Sequence, residues 1–132
     1  MQKPLKILQW NACSLNYEKR AQLELLVAEE GYEVLCISEL GRYRKLHGFQ
    51  HYDFSNADTQ SVIFWRDGLK VKKIQTEFDS NNERILTQCI NINNELLLIH
   101  TYIAPELNHR ARSKYRQELQ IFLEQLCNEN SI

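Results

Sequence analysis

Three polar side chains that could bind a charged ligand stand where apolar runs of the sequence end. Asn11 ends LKILQWN, Glu39 follows VLCIS, and Tyr102 comes near the end of LLLIHTY. Each run reads as a strand, so the three residues lie at the carboxyl ends of predicted strands. Sites in α/β proteins gather at that edge of a sheet. We therefore expect Asn11, Glu39 and Tyr102 to form one site.

Each of these residues also has an explanation that involves no site. Asn11 could satisfy its own backbone in a turn after the strand. Glu39 could be a solvated carboxylate paired with Arg42 or Arg44. The Tyr102 hydroxyl could simply reach water from a strand. The pairing with Glu39 at equivalent strand ends favours a site role for Asn11. From the residues alone, the solvated carboxylate is the favoured interpretation of Glu39, and both interpretations of Tyr102 stay open.

A basic and aromatic segment follows Gly41 and is the best candidate for contact with phosphate. It consists of Arg42, Tyr43, Arg44 and Lys45. Guanidinium groups bind phosphate in a bidentate manner, and an aromatic ring can stack on bases. The formal net charge of −1 shows no general basic bias, so any nucleic-acid contact must be local. A solvated loop is the alternative.

The histidines and cysteines give weaker indications. His47 and His51 have the spacing of a metal pair on a helix, but their segment lacks a helical period, so ordinary loop histidines are favoured. His100 is either a hydrogen-bonded histidine within a strand or a general base. A general base would need a partner residue that positions it. The four cysteines form no CxxC pair, which argues against a zinc ribbon and favours buried reduced thiols.

The first half of the sequence predicts a strand, a helix and a second strand. After the LKILQW strand, apolar residues at helical spacing predict a helix from about residue 19 to 30, which Gly31 ends. The continuous apolar run VLCIS is typical of a strand buried on both faces. This order predicts a crossover and therefore an α/β layer.

The rest of the sequence predicts two hairpins and a final helix. Asp67–Gly68 is the turn signal of the first hairpin, and Asn93–Asn94 tolerates positive φ at the turn of the second. An apolar stripe predicts a helix over residues 110–128. The stretch from Gly41 to residue 58 has no sustained period and is predicted to be a long loop.

Other protein classes are poorly supported. The apolar runs are shorter than the about 20 residues that span a bilayer, and the start shows no signal-peptide core, so we expect an intracellular protein of the cytoplasm or nucleus. A Rossmann nucleotide binder would need a G-x-G-x-x-G motif after the first strand, and none is present.

Four stretches together resemble the endonuclease/exonuclease/phosphatase superfamily, most closely the endonuclease domains of LINE-type (non-LTR) retrotransposons. In chain order they are LKILQWNACSL, VLCISEL, SVIFWRDGLKVKKI and LLLIHTYIAPE. The resemblance covers almost the whole chain. It implies an α/β fold of the deoxyribonuclease I type, a four-layer αββα sandwich with two sheets, that cleaves phosphodiesters in DNA with a divalent metal, Mg²⁺ or Mn²⁺.

The resemblance also implies roles for the three strand-end residues. Glu39 would be the metal ligand, which suits a hard cation that prefers oxygen. Asn11 would help to position the metal site and the phosphate. Tyr102 would lie near the scissile phosphate and stabilise its developing charge. The family's Tyr-x-x-Pro pattern is present, although its usual double proline is here Ala104–Pro105.

Two motifs of the complete family are absent from these 132 residues. They are a Gly-Asp-Phe-Asn type motif, which contacts the attacking water and leaving group, and a Ser-Asp-His type motif, which binds the phosphate. We therefore expect residues 1–132 to form a single domain that is incomplete at its C-terminal side, truncated after the first half of the sandwich. Such a domain would be weak or inactive alone and would need the missing half or a second copy of the chain.

Three hypotheses follow. The chain is a truncated retroelement nuclease, a domesticated non-catalytic binding module that keeps the first half of the fold, or an unrelated small α/β protein. The first predicts metal-dependent nicking when the missing half is supplied. The second predicts a folded, metal-indifferent chain that binds a partner, and the third predicts a different sheet order.

Overall fold

The computed structural model describes residues 4–41, 44–52, 60–74, 85–103 and 109–129. In this part of the chain, seven strands and two helices occur in the order β1 (Ile7–Asn11), α1 (Tyr17–Glu30), β2 (Val34–Ser38), β3 (Phe49–His51), β4 (Ser61–Arg66), β5 (Val71–Ile74), β6 (Ile85–Ile92), β7 (Leu96–Ile103) and α2 (His109–Glu129). The strands form two sheets, ordered β1-β2-β4-β3 and β5-β6-β7. The chain divides into two compact units, Met1–Tyr102 and Ile103–Ile132. Helix α2 belongs to the second unit.

The predicted crossover from β1 through α1 to β2 is confirmed. Strands β1 and β2 are parallel, with Asn11 opposite Ser38. Helix α1 begins after Asn16, whose side-chain oxygen accepts the backbone N–H of Lys19 at 2.8 Å, a typical N-cap. It ends at Gly31, whose φ of 74° is easy for glycine, and whose N–H donates to the Val27 carbonyl oxygen.

The first predicted hairpin is wrong. Strand β4 pairs antiparallel with β2 and with β3, whereas β5 pairs with β6 in the other sheet. Asp67–Gly68 does form a turn, but the chain passes there from one sheet to the other. The physical reason is that both edges of β4 are already hydrogen bonded, so β5 has to find its partner elsewhere.

The predicted long loop contains a short strand, β3. Its three residues pair with the end of β4, from Phe49 opposite Arg66 to His51 opposite Phe64. Three residues are too few to show a period in sequence, so the pairing depends on β4. The second predicted turn is confirmed, since Asn93 and Asn94 have φ of 55° and 58°, and the Glu95 N–H donates to the Ile92 carbonyl oxygen at 3.0 Å. The final helix is confirmed as α2.

The core of the first unit lies on both faces of the first sheet. All four apolar residues of β2 are buried, as predicted for a strand covered on both sides. Leu23 and Val27 of α1 cover one face, and Ile90 and Ile92 of β6 join the same core from the other sheet. The fold class is therefore confirmed as a mixed α/β fold with two sheets and two helices in the described ranges.

Candidate functional site

The carboxyl ends of β1 and β2 lie side by side, and hydrogen bonds join the loops that follow them. The N–H of Ala12 donates to the Ser38 carbonyl oxygen at 2.9 Å, and the N–H of Ser14 donates to the Glu39 carbonyl oxygen at 2.8 Å. The strand ladder therefore continues past the two strand ends. As a result, the backbones at Asn11 and Glu39 lie next to each other at one edge of the sheet.

The Asn11 side chain is exposed and takes part in a turn. Its Oδ1 accepts the N–H of Cys13 at 3.1 Å, which is the bond that the turn interpretation requires. An amide oxygen has two lone pairs, so this bond leaves one acceptor site. Among the described residues, the Nδ2 of Asn11 has no hydrogen-bond partner. The turn role and a binding role are therefore compatible.

The Glu39 side chain is half-buried and unpaired within the described ranges. Arg44, one of the two arginines considered as its partner, is half-buried and has an interaction of its own. Arg42 and Tyr43 lie outside the described residues. Glu39 thus presents a carboxylate that no described cation neutralises.

Left-handed backbone conformations cluster in these two loops. Cys13, Ser14 and Glu39 have φ of 48°, 74° and 55°, although none is glycine. Each such residue costs about 1 kcal/mol or more, so the surrounding structure has to hold it. Gly41 has φ of 73°, and a Cβ there would lie 3.1 Å from the Ser14 Cα, so the loops touch closely. Strain of this kind is often found at binding sites.

Two side chains fix these loops from the outside. The Nζ of Lys19 donates to the carbonyl oxygens of Ala12 and Cys13 at 2.8 and 3.2 Å. The side-chain Oε1 of Gln60 accepts the N–H of Gly41 at 2.9 Å, and the backbone carbonyl oxygen of Gln60 accepts the N–H of Leu40. The strand ends are therefore held by the first turn of α1 and by the residue before β4.

Tyr102 is the last but one residue of β7 in the second sheet. Its side chain lies outside what the structure describes, so the predicted position of its phenol stays a prediction. Arg44 is described as half-buried, and its contact with phosphate likewise stays a prediction.

His100 has the partner that sequence reasoning could not find. Its side chain is 5% exposed, and its Nε2 lies 3.4 Å from the Oγ of Ser38 across the gap between the sheets. Burial lowers the pKa of His100 from 6.5 to about 4, so the ring is neutral at physiological pH. The contact joins residues 62 apart in sequence, immediately beside Glu39.

His47 and His51 do not form a metal pair on a helix. His51 lies in β3, with its ring centroid 6.0 Å from that of Phe64. The backbone N–H of His47 donates to the Glu24 carboxylate at 3.4 Å. Within the described ranges, no group of three or more His, Cys, Asp or Glu residues is placed to bind a metal.

The cysteines confirm the prediction of buried thiols in part. Cys36 and Cys89 are buried and form no disulfide bond, and burial raises the pKa of the Cys36 thiol to about 12. Cys13 is exposed, which differs from the prediction, because it lies in the loop after β1. As for membranes, neither helix, over the residues described, is long and apolar enough to cross one.

The fold corresponds to about half of an endonuclease domain. A solved structure that is similar to this chain is the endonuclease domain of TRAS1, a telomere-specific non-LTR retrotransposon. The TM-score is 0.65 and the sequence identity 17%, with 91% of this chain and 54% of that chain covered. At this identity the similarity establishes the fold alone.

The chain therefore spans about half the length of the solved chain that it matches. The similarity confirms at the level of fold the resemblance to retrotransposon endonucleases. No family model matches the sequence. No curated protein matches it either.

Proposed function

We propose that the chain is part of a metal-dependent phosphodiesterase, a DNA endonuclease domain of retrotransposon origin in which Glu39 binds Mg²⁺ or Mn²⁺. One observation supports this most strongly: Asn11 and Glu39 lie at adjacent carboxyl ends of parallel strands in a fold shared with a retrotransposon endonuclease domain. A DNA target implies that the protein acts in the cytoplasm or nucleus.

The residues at this edge fit a magnesium ion. Mg²⁺ is usually held by one or two carboxylates and keeps several waters, so it does not need a cage of protein ligands. Glu39 offers a carboxylate without a described partner, and Asn11 retains one acceptor site on its amide oxygen. When bound, the metal would polarise a phosphodiester oxygen and stabilise the charge of the transition state.

The chain's own residues would orient the substrate. The free Nδ2 of Asn11 can donate a hydrogen bond to a phosphate oxygen, and the Tyr102 phenol is proposed to donate a second one. Arg42, Tyr43 and Arg44 are proposed to contact the DNA backbone and bases. The sequence lacks the Gly-Asp-Phe-Asn and Ser-Asp-His motifs, so these residues alone would give weak cleavage or none. Full activity would need a further segment that carries those motifs.

The first test is metal binding by the purified chain. We expect Mn²⁺ to bind the wild-type chain and the Mn²⁺ dissociation constant to rise roughly tenfold or more in Glu39→Gln, because the substitution removes the charged ligand. Glu33→Gln is the matched control, since Glu33 stands just before β2 at its opposite end. Isothermal titration calorimetry measures the three dissociation constants.

Nicking of supercoiled plasmid is followed in parallel with Mg²⁺ and Mn²⁺. Any nicking by the wild-type chain should disappear in Glu39→Gln and persist in Glu33→Gln. Equal Mn²⁺ binding by the wild type and Glu39→Gln would contradict the proposal. A folded chain that binds neither metal is the result expected of the non-catalytic binding module.

A further inference from the structure

Three polar side chains lie in the gap between the sheets next to Glu39. Ser38 is the last residue of β2, His100 belongs to β7, and Ser61 is the first residue of β4. Ser38 and Ser61 are opposite each other in the antiparallel pair, so their side chains leave the sheet on the same face. His100 and Ser61 are buried, at 5% and 1% exposure.

Within the described ranges, the contact between Ser38 and His100 is the only hydrogen-bond contact among these three side chains. The Nε2 of His100 lies 3.4 Å from the Oγ of Ser38, whereas the Oγ of Ser61 has no hydrogen-bond partner there. Buried polar groups contribute less to stability than an apolar pair of the same size unless they are fully hydrogen bonded. A role in packing alone therefore explains this group poorly.

The position of the contact suggests what it does. Ser38 directly precedes Glu39, which has the unfavourable φ of 55° and depends on its surroundings to keep it. The N–H of Ser14, in the loop after β1, donates to the Glu39 carbonyl oxygen, and the backbone carbonyl oxygen of Gln60, just before β4, accepts the N–H of Leu40. The contact with His100 adds a third restraint, and it comes from the second sheet, on the strand that also contains Tyr102.

We propose that His100 is a positioning residue of the nuclease site: by bonding Ser38 it fixes the end of β2 and so orients the Glu39 carboxylate for the metal. This inference rests on the proposed function. Residues behind a metal ligand orient it in this way in many metal sites, and their loss typically weakens metal binding roughly 10- to 100-fold. His100 does not contact the metal or the phosphate in this proposal.

The serine pair provides a matched test. Ser38→Ala and Ser61→Ala are the same substitution at opposite positions of β2 and β4, but only Ser38 contacts His100. We expect Ser38→Ala to raise the Mn²⁺ dissociation constant roughly tenfold and Ser61→Ala to leave it unchanged. His100→Leu should behave like Ser38→Ala, and His100→Gln, which can still hydrogen bond, should recover part of the loss.

A second measurement reports the strand end without any metal. In native-state hydrogen exchange, the amides of Ser14 and Leu40 should exchange roughly tenfold faster in Ser38→Ala than in Ser61→Ala, because both bond at the Glu39 loop. Amides of α1 should exchange equally in the two variants. If His100→Leu does not fold, the serine pair still decides the question.

The outcomes separate the two proposals. Unchanged exchange at Ser14 and Leu40 in Ser38→Ala would overturn the positioning role, even if Glu39→Gln loses metal. A wild-type chain that binds no Mn²⁺ would overturn the proposed function. The exchange measurement alone would then test whether His100 fixes the end of β2. Faster exchange together with weaker Mn²⁺ binding supports both.

Discussion

At the scale of single residues, burial decides the charge of His100. His100 lies between the sheets, so its ring loses hydration and stays neutral, with a pKa lowered to about 4. Glu39 is half-buried at the edge and retains access to water. The two residues are close through Ser38, yet only His100 is buried away from water. This difference leads to a prediction for stability against pH.

The stability of the chain should fall with acid between about pH 6.5 and pH 4 because of His100. In this window the unfolded chain binds a proton on His100 that the folded chain does not, so the free energy of unfolding decreases as the pH decreases. A shift from 6.5 to about 4 corresponds to a loss of up to about 3 kcal/mol. Urea unfolding of the wild type and of His100→Gln at pH 7, 5.5 and 4.5 measures this loss of unfolding free energy.

The comparison with His100→Gln isolates this residue from the carboxylates, which titrate in both proteins. The wild type should lose stability more steeply than the variant. Parallel pH profiles of the two proteins would show that His100 is not neutral in the folded chain.

At the scale of elements, the loops that follow β1 and β2 approach each other closely at Gly41. For a substitution there, this close approach should cost more stability than the left-handed backbone alone. Gly41 and Gly31 have nearly the same φ, 73° and 74°, but only a Cβ at Gly41 would meet another loop, 3.1 Å from the Ser14 Cα. Gly31→Ala should cost about 1 kcal/mol of unfolding free energy, from the left-handed conformation. Gly41→Ala should cost at least about 1 kcal/mol more, because Ser14 has to move.

Equilibrium unfolding in urea measures both variants of this pair. Gly41→Ala should also weaken Mn²⁺ binding, since Ser14 bonds the Glu39 carbonyl oxygen, and Gly31→Ala should not. Equal losses of stability in the two variants would mean that the loops are further apart than the structure shows.

At the scale of the whole molecule, the two sheets share one core, so damage to the second sheet should unfold the first. Ile90 of β6 is fully buried in the same cluster as the residues of β2 and β4. Ile90→Ala should lower the unfolding free energy by about 2–5 kcal/mol. Tryptophan fluorescence reports on the first sheet, because both tryptophans, Trp10 and Trp65, lie in its strands.

The fluorescence transition should therefore shift as far as the far-ultraviolet circular dichroism transition. Ile121→Ala on α2 is the control, because Ile121 is 57% exposed and its loss should change stability by less than about 0.5 kcal/mol. A fluorescence transition that stays in place in Ile90→Ala would show that the sheets unfold separately.

Much of the fold follows from local features of the sequence. The crossover of β1, α1 and β2 could be predicted because an apolar run, a helical period and Gly31 each act over a few residues. The turn at Asn93–Asn94 is equally local, since the two residues tolerate positive φ. The order of the four family-like stretches indicated the retrotransposon endonuclease fold, which the structural match confirms.

The sequence by itself determined the elements other than β3 and the strand-end placement of Asn11 and Glu39, because periodicity, caps and turns act over short distances. Only the tertiary structure decided which strands pair: β4 uses both edges for β2 and β3, so β5 joins the other sheet. It alone revealed β3 and the contact between Ser38 and His100, which are 62 residues apart. Such pairings depend on which edges and side chains remain available once the sheets have formed, and no local pattern records that.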